Sequence, residues 1–409
     1  MPHRLDELLD ELSAQALLVV ARTSRDPYLA SFTGAVKLGP AFVVAPRGAG
    51  VRLGYLNPMD RDGAAATGLG LLTPEALDVV RWARETESAS ERLAHVLSRA
   101  FHLCEMAPGR IALAGWWSAG EALEACARLG REGWSFAGGE RLVLLLRRTK
   151  SAGELAEMRR VAAGTMAAFH RVAELLAAAE AIAGELWLGG ERLRVARLTR
   201  EIARALAEHQ LEQPEGGICA PGREGTVPHT GGTPERVLRP HESLVVDLYP
   251  CGRLFVDASR TFCVGTPPEA LARAHAHVRE ALELARRGAA PGRRGWSLQE
   301  AVCEHLGGAG YPTPIADHTT TRGYVHGLGH GVGLSVHEIP YFKKEHTGPE
   351  AYLEEGDVFT LEPGLYEPDA GWAVRLEDTY WLGPEGPESL LPMSYEMDPR
   401  AWGAMIGGA

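Results

Sequence analysis

The stretch Val325–His337, reading VHGLGHGVGLSVH, sets four glycines between three histidines, His326, His330 and His337. His326 and His330 are four residues apart, which on a helix would put both on one face, as in zinc-peptidase helices. The glycines oppose a helix, because each costs about 1 kcal/mol relative to alanine in a helix interior. The segment reads instead as extended and closely packed, since glycine lets other backbone or a ligand come near. The histidines then point into whatever lies beside it. A single histidine is usually a structural residue, so acids elsewhere in the chain decide what these three do.

Asp247 sits inside ESLVVDLY and Asp257 inside LFVDASRTF. Aspartate is depleted in strands, so one in each of two neighbouring apolar strands is unusual. If Gly252 centres a three-residue hairpin loop, the two aspartates lie equally far from it and face each other across the pair. Facing like charges destabilise a strand pair unless something positive lies between them. Glu362 ends VFTLEPG and Glu377 sits in AVRLEDTYWL, again two short strands, here joined by a Gly- and Pro-containing turn. Asp357 marks the turn before the first of them. Asp378 faces away from Glu377, whereas Arg375 shares its face.

Four carboxylates brought close together would raise one another's pKa. Two divalent cations would balance Asp247, Asp257, Glu362 and Glu377, with His330 neutral. Oxygen-dominated ligation with one imidazole favours Mn, Co, Zn, Fe or Mg over a soft-metal site. Paired metals hold a bridging water, lower its pKa and polarise a carbonyl.

The rest of the chain supplies the frame. Its 409 residues suffice for two or three domains. The net charge of −11 argues against nucleic acid or an anionic membrane as partner. The six cysteines show no CxxC spacing, which suits buried apolar residues in a reducing compartment. Acids at Asp6, Glu7, Asp10 and Glu11 oppose a signal peptide, no window is apolar enough for a membrane span, and the cytoplasm follows as the expected location.

Residues 1–148 alternate strands and helices, the pattern of an α/β unit. Here Leu17–Ala21, Arg110–Ala114 and Leu142–Leu146 read as strands. Pro74–Arg84 and Ser90–His102 read as helices, and DPYLASFTG as a turn-rich link. No catalytic constellation is found there, so a structural or substrate-capping role is expected. From RRTKS onward, residues 149–409 group helices beside strands, which indicates α+β. Helices are expected at Glu154–Ala181 and Glu191–Gln210. A Gly- and Pro-rich loop at Pro214–Gly232 holds His229.

The series VVDLYP, VDASRTF, GHGVGLSVHE, FTLEPGLY and VRLED resembles the metal-dependent pita-bread peptidases: methionine aminopeptidase, prolidase and aminopeptidase P. The resemblance covers about residues 148–390, and the front domain is similar to a creatinase-type N-terminal domain. It implies a smaller α/β domain followed by a pita-bread (creatinase/aminopeptidase) catalytic domain at 149–409, the arrangement of the Xaa-Pro branch. By this resemblance Asp247 holds one metal, His330 and Glu362 the other, and Asp257 and Glu377 bridge both. Glu362 would also serve as general base, His337 would donate to the carbonyl oxygen, and His229 would act at the leaving side. His326 and Arg375 match positions that grip substrate and orient ligands.

The implied activity is hydrolysis of the Xaa-Pro bond in dipeptides or at the N-terminus of peptides, with two ions of Mn, Co or Zn, in a homodimer. The alternative is a metal-independent creatinase-like or non-catalytic binding member of the same fold. Two departures stand out. The first aspartate is usually followed by one residue and then Gly, whereas Leu248-Tyr249-Pro250 follow here, and the turn to Asp257 is one residue shorter than usual.

Overall fold

The structure, a computed structural model describing residues 2–405, divides into two units, Met1–Arg147 and Arg148–Ala409. In the first, helix α1 (Pro2–Glu11) leads into β1 (Ala16–Ala21), followed by α2 (Pro27–Thr33), β2 (Ala41–Pro46), β3 (Arg52–Tyr55), α3 (Arg61–Ala66), β4 (Gly70–Leu72), α4 (Val79–Glu85), α5 (Ala89–Leu103), β5 (Arg110–Ala114), α6 (Ala119–Gly130), β6 (Ser135–Gly138) and α7 (Glu140–Arg147). The six strands form one sheet in the order β4-β3-β2-β1-β5-β6. Strands β1 and β2 are buried along their whole length. Their unbroken apolar runs, ALLVVA and AFVVAP, are what central strands covered on both faces require. Helix α5 lays Leu93, Val96, Leu97, Ala100 and Phe101 into this core, a helical stripe.

Three expectations for this unit are corrected. Leu142–Leu146 is helical, lying within α7; a short apolar run fits either state, and here Leu142, Val143 and Leu145 bury one helix face. DPYLASFTG is the helix α2, with Pro27 in its first turn. Asp26 caps it, its Oδ1 accepting from the backbone of Tyr28 (2.7 Å) and Leu29 (3.0 Å). The helix expected over Pro74–Arg84 is confined to Val79–Glu85.

The second unit starts with α8 (Ala152–Ala177), opened by a capping box in which Ser151 and Glu154 each accept the other's backbone N–H. It ends earlier than expected, in a small antiparallel sheet of β7 (Glu180–Ile182), β8 (Glu185–Leu188) and β9 (Glu191–Arg192), so the following helix α9 is only Val195–Glu208. Strands β10 (Ile218–Pro221), β11 (Leu244–Leu248) and β12 (Ala258–Phe262) make a second antiparallel sheet. Helices α10 (Glu269–Gly288) and α11 (Gly295–Gly308) pack against each other and bury Leu271, Val278, Leu282, Leu298 and Val302.

Then come β13 (His330–Gly331), β14 (Glu338–Tyr341), β15 (Val358–Leu361), the hairpin β16 (Gly364–Glu367) and β17 (Trp372–Arg375), β18 (Asp378–Gly383) and β19 (Gly386–Ser389). The larger sheet runs β14-β13-β15-β18-β19. Arg148, fully buried, donates to both carboxylate oxygens of Asp357 (2.9 and 2.6 Å). Among the described residues, no helix is long and apolar enough to cross a membrane.

Candidate metal centre

In the hairpin of β11 and β12 the partner of Asp247 lies two residues beyond the one expected. Asp247 pairs with Ser259 and Leu248 with Ala258. The loop closes at the bridge between Cys251 and Phe255, so its centre is Arg253 and not Gly252. Both loop ends are anchored from outside. Cys251 exchanges backbone hydrogen bonds with Glu212 (2.8 and 2.9 Å), and the Phe255 N–H donates to Gly333 (2.8 Å). Burial of Leu254 and Phe255 also favours this closure. Asp257 is therefore diagonal to Asp247. It still shares its face, because residues two apart on a strand point the same way.

The next step adds Glu377, whose backbone pairs with Ser259 (3.0 and 3.3 Å). Asp247, Ser259 and Glu377 thus form a lateral row across three chain segments. Glu362 and Glu377 flank the end of the β15–β18 pairing, whose last register pair is Leu361 with Asp378. The turn expected between them is occupied by the β16–β17 hairpin, which carries Arg375.

Glycines deliver His330 to these acids. A Cβ on Gly329 would sit 2.0 Å from the carbonyl oxygen of Thr360, and one on Gly331 1.9 Å from that of Ile339. Only a chain without side chains at those positions fits between β14 and β15. Outside the two residues of β13 the segment Gly323–His337 is irregular, with a bulge between His330 and Gly331. Its helical alternative is excluded.

One ligand atom each from Asp257, His330 and Glu377 lies within 4.8 Å of the others. Glu362 Oε1 is 3.5 Å from His330 Nε2, and Asp257 Oδ2 is 3.9 Å from it. The Nδ1 of His330 lies 3.1 Å from the Gly331 carbonyl, which can only accept, so the proton is on Nδ1 and Nε2 offers a lone pair to the acids. Arg375 donates to Asp247 Oδ2 at 2.5 Å, to Ser259 Oγ at 2.9 Å and to Tyr366 Oη at 3.1 Å. Ser259 in turn donates to Glu377 Oε2 at 2.9 Å.

His326 Nε2 is 2.9 Å from Tyr366 Oη, and its Nδ1 is 2.8 Å from the Gly327 carbonyl. The same logic puts the His326 proton on Nδ1, so Tyr366 donates to Nε2 while accepting from Arg375. The His337 ring lies tilted by 44° against that of His330, ring centres 4.1 Å apart. His229 is exposed, with no hydrogen bond to the centre, though within electrostatic reach of His326 and His337. Its neighbour Pro228 is closer to the centre, accepting from Arg375 at 3.2 Å.

The electrostatics are those of an uncompensated acid cluster. Burial, then the charges of Asp247 and Glu362, push Asp257 well above the usual carboxylate range. Burial, then Asp257, Glu362 and Asp247, do the same to Glu377. Glu362 is pushed up to about 8 by burial and Asp247, against the pull of Arg375. Burial lowers both His326 and His330 to about 3, which keeps both imidazoles neutral. Burial opposes the charge on Arg375, but Asp247, Tyr366, Glu377 and Glu362 more than offset it and raise its pKa. Oδ1 of Asp247 and Oδ1 of Asp257 are buried without a hydrogen-bond partner. Such atoms cost about 1–3 kcal/mol or more each when left unsatisfied. Hard oxygen donors aimed together, surplus negative charge and an available imidazole lone pair are the donor set of a divalent metal site.

Ser259, Tyr366, Thr360 and Thr379 were not picked out by sequence. Thr360 Oγ1 accepts from the His330 backbone (3.1 Å), and Thr379 Oγ1 both accepts from and donates to the Asp257 backbone. Ser259 alone had a signal, since it lies two residues from Asp257 on the same strand face.

The pattern of metallopeptidase family M24 matches residues 156–384. An Xaa-Pro dipeptidase of Pyrococcus furiosus is 34% identical over 184 residues, 44% of this chain and 48% of that protein. An Xaa-Pro dipeptidase of Lactobacillus helveticus is 32% identical over 200 residues, 47% of this chain and 50% of that one. The chain thus spans about half the length of the curated relatives it matches. Among solved structures, the prolidase from Pyrococcus horikoshii OT3 superimposes with a TM-score of 0.72 at 20% identity, covering 97% of this chain and 99% of that one. The X-Pro aminopeptidase from Thermotoga maritima MSB8 gives 0.71 at 19%, again over 97% and 99%. These likenesses give the fold: an α+β pita-bread (creatinase/aminopeptidase) architecture with a smaller α/β part before it. The family match spans more than half of the sequence and encloses every residue from Asp247 to Glu377, and on that ground the chain belongs to metallopeptidase family M24.

Proposed function

We propose that this chain is a dinuclear metal-dependent peptidase that hydrolyses the Xaa-Pro bond of dipeptides or of peptide N-termini, with its catalytic residues in the part beginning at 149. The observation that carries the reading is the convergence of Asp257, His330 and Glu377 on one point, beside buried carboxylate oxygens that nothing in the protein satisfies. In this reading Asp247, Asp257, His330, Glu362 and Glu377 hold two divalent ions. Bound ions of this kind supply a nucleophilic water at neutral pH and polarise the scissile carbonyl.

The protein's own groups do the rest. Glu362, whose Oε1 lies 3.5 Å from His330 Nε2, serves as the general base that takes up and returns a proton. His337, exposed beside His330, donates to the carbonyl oxygen as negative charge grows on it. His229 acts at the leaving side from the loop tied to Arg375 through Pro228. Arg375, Tyr366 and His326 form a hydrogen-bonded line that fixes Asp247 at one end and presents a neutral imidazole at the other. The Xaa-Pro bond carries no N–H, so a site that reads the free amino end and the prolyl ring suits it better than extended β-type binding. The names of the relatives, Xaa-Pro dipeptidase in two organisms, support that substrate class.

The test is a rate comparison of an Xaa-Pro dipeptide, an Xaa-Pro-Yaa tripeptide and a Met-Ala peptide with protein loaded with Mn, Co or Zn. Cleavage of the Xaa-Pro substrates is expected; cleavage of none of them with any metal would sink the proposal. Homodimer formation, manganese as native metal and a cytoplasmic location belong to the same proposal. Light scattering and metal analysis of the protein as isolated test the first two.

A further inference from the structure

Two residues after Asp247 this chain has Tyr249. Leu248 pairs with Ala258, and the Val256 N–H donates to the Pro250 carbonyl at 3.2 Å, so Tyr249 falls opposite Asp257. Residues two apart on a strand share a face, which puts Tyr249 on the side of Asp247 as well. The ring is only partly buried, packed along the edge of the core. Its hydroxyl is within electrostatic reach of Asp247, Asp257 and Glu215. A bulky aromatic therefore stands at the acid end of the centre.

The free amino end of a peptide is cationic, and Glu215, an acid outside the five proposed metal ligands and within electrostatic reach of both Tyr249 and His337, draws it to this end of the site. The residue that carries this amine then lies against Tyr249. We infer that Tyr249 is a specificity-determining residue that confines the residue before proline to small side chains such as glycine and alanine. The inference rests on the Xaa-Pro reading above, since it takes the N-terminal residue of such a peptide as the group that meets the ring.

The experiment compares kcat/KM for Gly-Pro and Phe-Pro dipeptides in Mn-loaded wild type, Tyr249→Ala and Tyr249→Phe, with metal content measured in each. Wild type is expected to prefer Gly-Pro by ~10-fold or more, the scale on which an apolar pocket discriminates by size. Tyr249→Ala should lower that preference ~10-fold at unchanged metal content, and Tyr249→Phe should keep it. The ratio is internal to each preparation, so a smaller folded fraction cancels. An unchanged ratio in an active Tyr249→Ala enzyme, or Tyr249→Phe behaving like Tyr249→Ala, overturns the inference alone. A wild-type enzyme that cleaves no Xaa-Pro peptide overturns the reading beneath it and the inference together.

Discussion

The second unit buries carboxylates in two ways. Asp357 and Asp378 are each matched to an arginine. Arg148 grips Asp357 through two hydrogen bonds, and Arg260 meets Asp378 at 2.6 Å, with Tyr395 and Ser389 on its other oxygen. All four ionic side chains are at most 1% exposed. At the candidate centre, Asp247, Asp257, Glu362 and Glu377 share the guanidinium of Arg375, which hydrogen-bonds Asp247 alone among them. An unpaired buried charge costs several kcal/mol. The fold pairs Asp357 and Asp378 with cations and leaves the acids proposed to hold metal short of them, and that shortfall is what the proposed ions would fill.

Asp257→Asn is the sharpest way to break this contrast. In metal-loaded protein it should lower peptidase activity by more than the ~10–100-fold that loss of an outer-sphere partner costs. In metal-free protein it should leave the melting temperature unchanged or raise it, because it removes surplus buried charge. A lower melting temperature in the metal-free variant would show that this acid is structural. Arg148→Ala should do the reverse, sparing metal binding but destabilising by about 3–5 kcal/mol in denaturant titration, since Asp357 is left buried alone. A loss below 1 kcal/mol would erase the distinction between the two regions.

Ser259→Ala should weaken metal affinity ~10–100-fold, read by competition with a chromogenic chelator, while Ser259→Thr restores it. Equal affinity in all three proteins would remove Ser259 from the centre. The smallest effect per step is the pH dependence of metal-free protein. Glu362 has a folded pKa of about 8 against an ordinary 4.5, and Asp257 and Glu377 are raised as well. The folded chain then holds more protons than the unfolded one between these values. Stability should fall as pH rises from about 4.5 through about 8, by about 1.4 kcal/mol per pH unit for each proton held. Metal-loaded protein should lack this slope, and a metal-free protein that gains stability over the window would contradict the assigned shifts.

The acids and histidines could be read from sequence because each breaks a local rule: carboxylates in apolar strands, histidines in a glycine run. The geometry between them was less legible. The shared face of Asp247 and Asp257 was expected from direct opposition, whereas it arises diagonally, because Glu212 and Gly333 fix the loop one residue further on. That information is largely tertiary, the apolar Leu254 and Phe255 being the hairpin's own contribution to it. Leu142–Leu146 went to helix for a similar reason, its apolar run being too short for a period to declare itself. Tyr366 reaches Arg375 and His326 only through the β16–β17 hairpin, which the sequence presents as a turn between Glu362 and Glu377. Conversely, the long helix α8 follows from an apolar stripe sustained over enough residues for its period to show.

The glycines on either side of His330 have a consequence for how this protein tolerates change. A methyl group at 329 or 331 would strike a carbonyl oxygen of the adjoining chain at about 2 Å, so the strand would have to back out, carrying the imidazole with it. An alanine at either place, a mild exchange by any chemical scale, should therefore damage function without touching a reactive group. The histidine is held in position by what its neighbours lack.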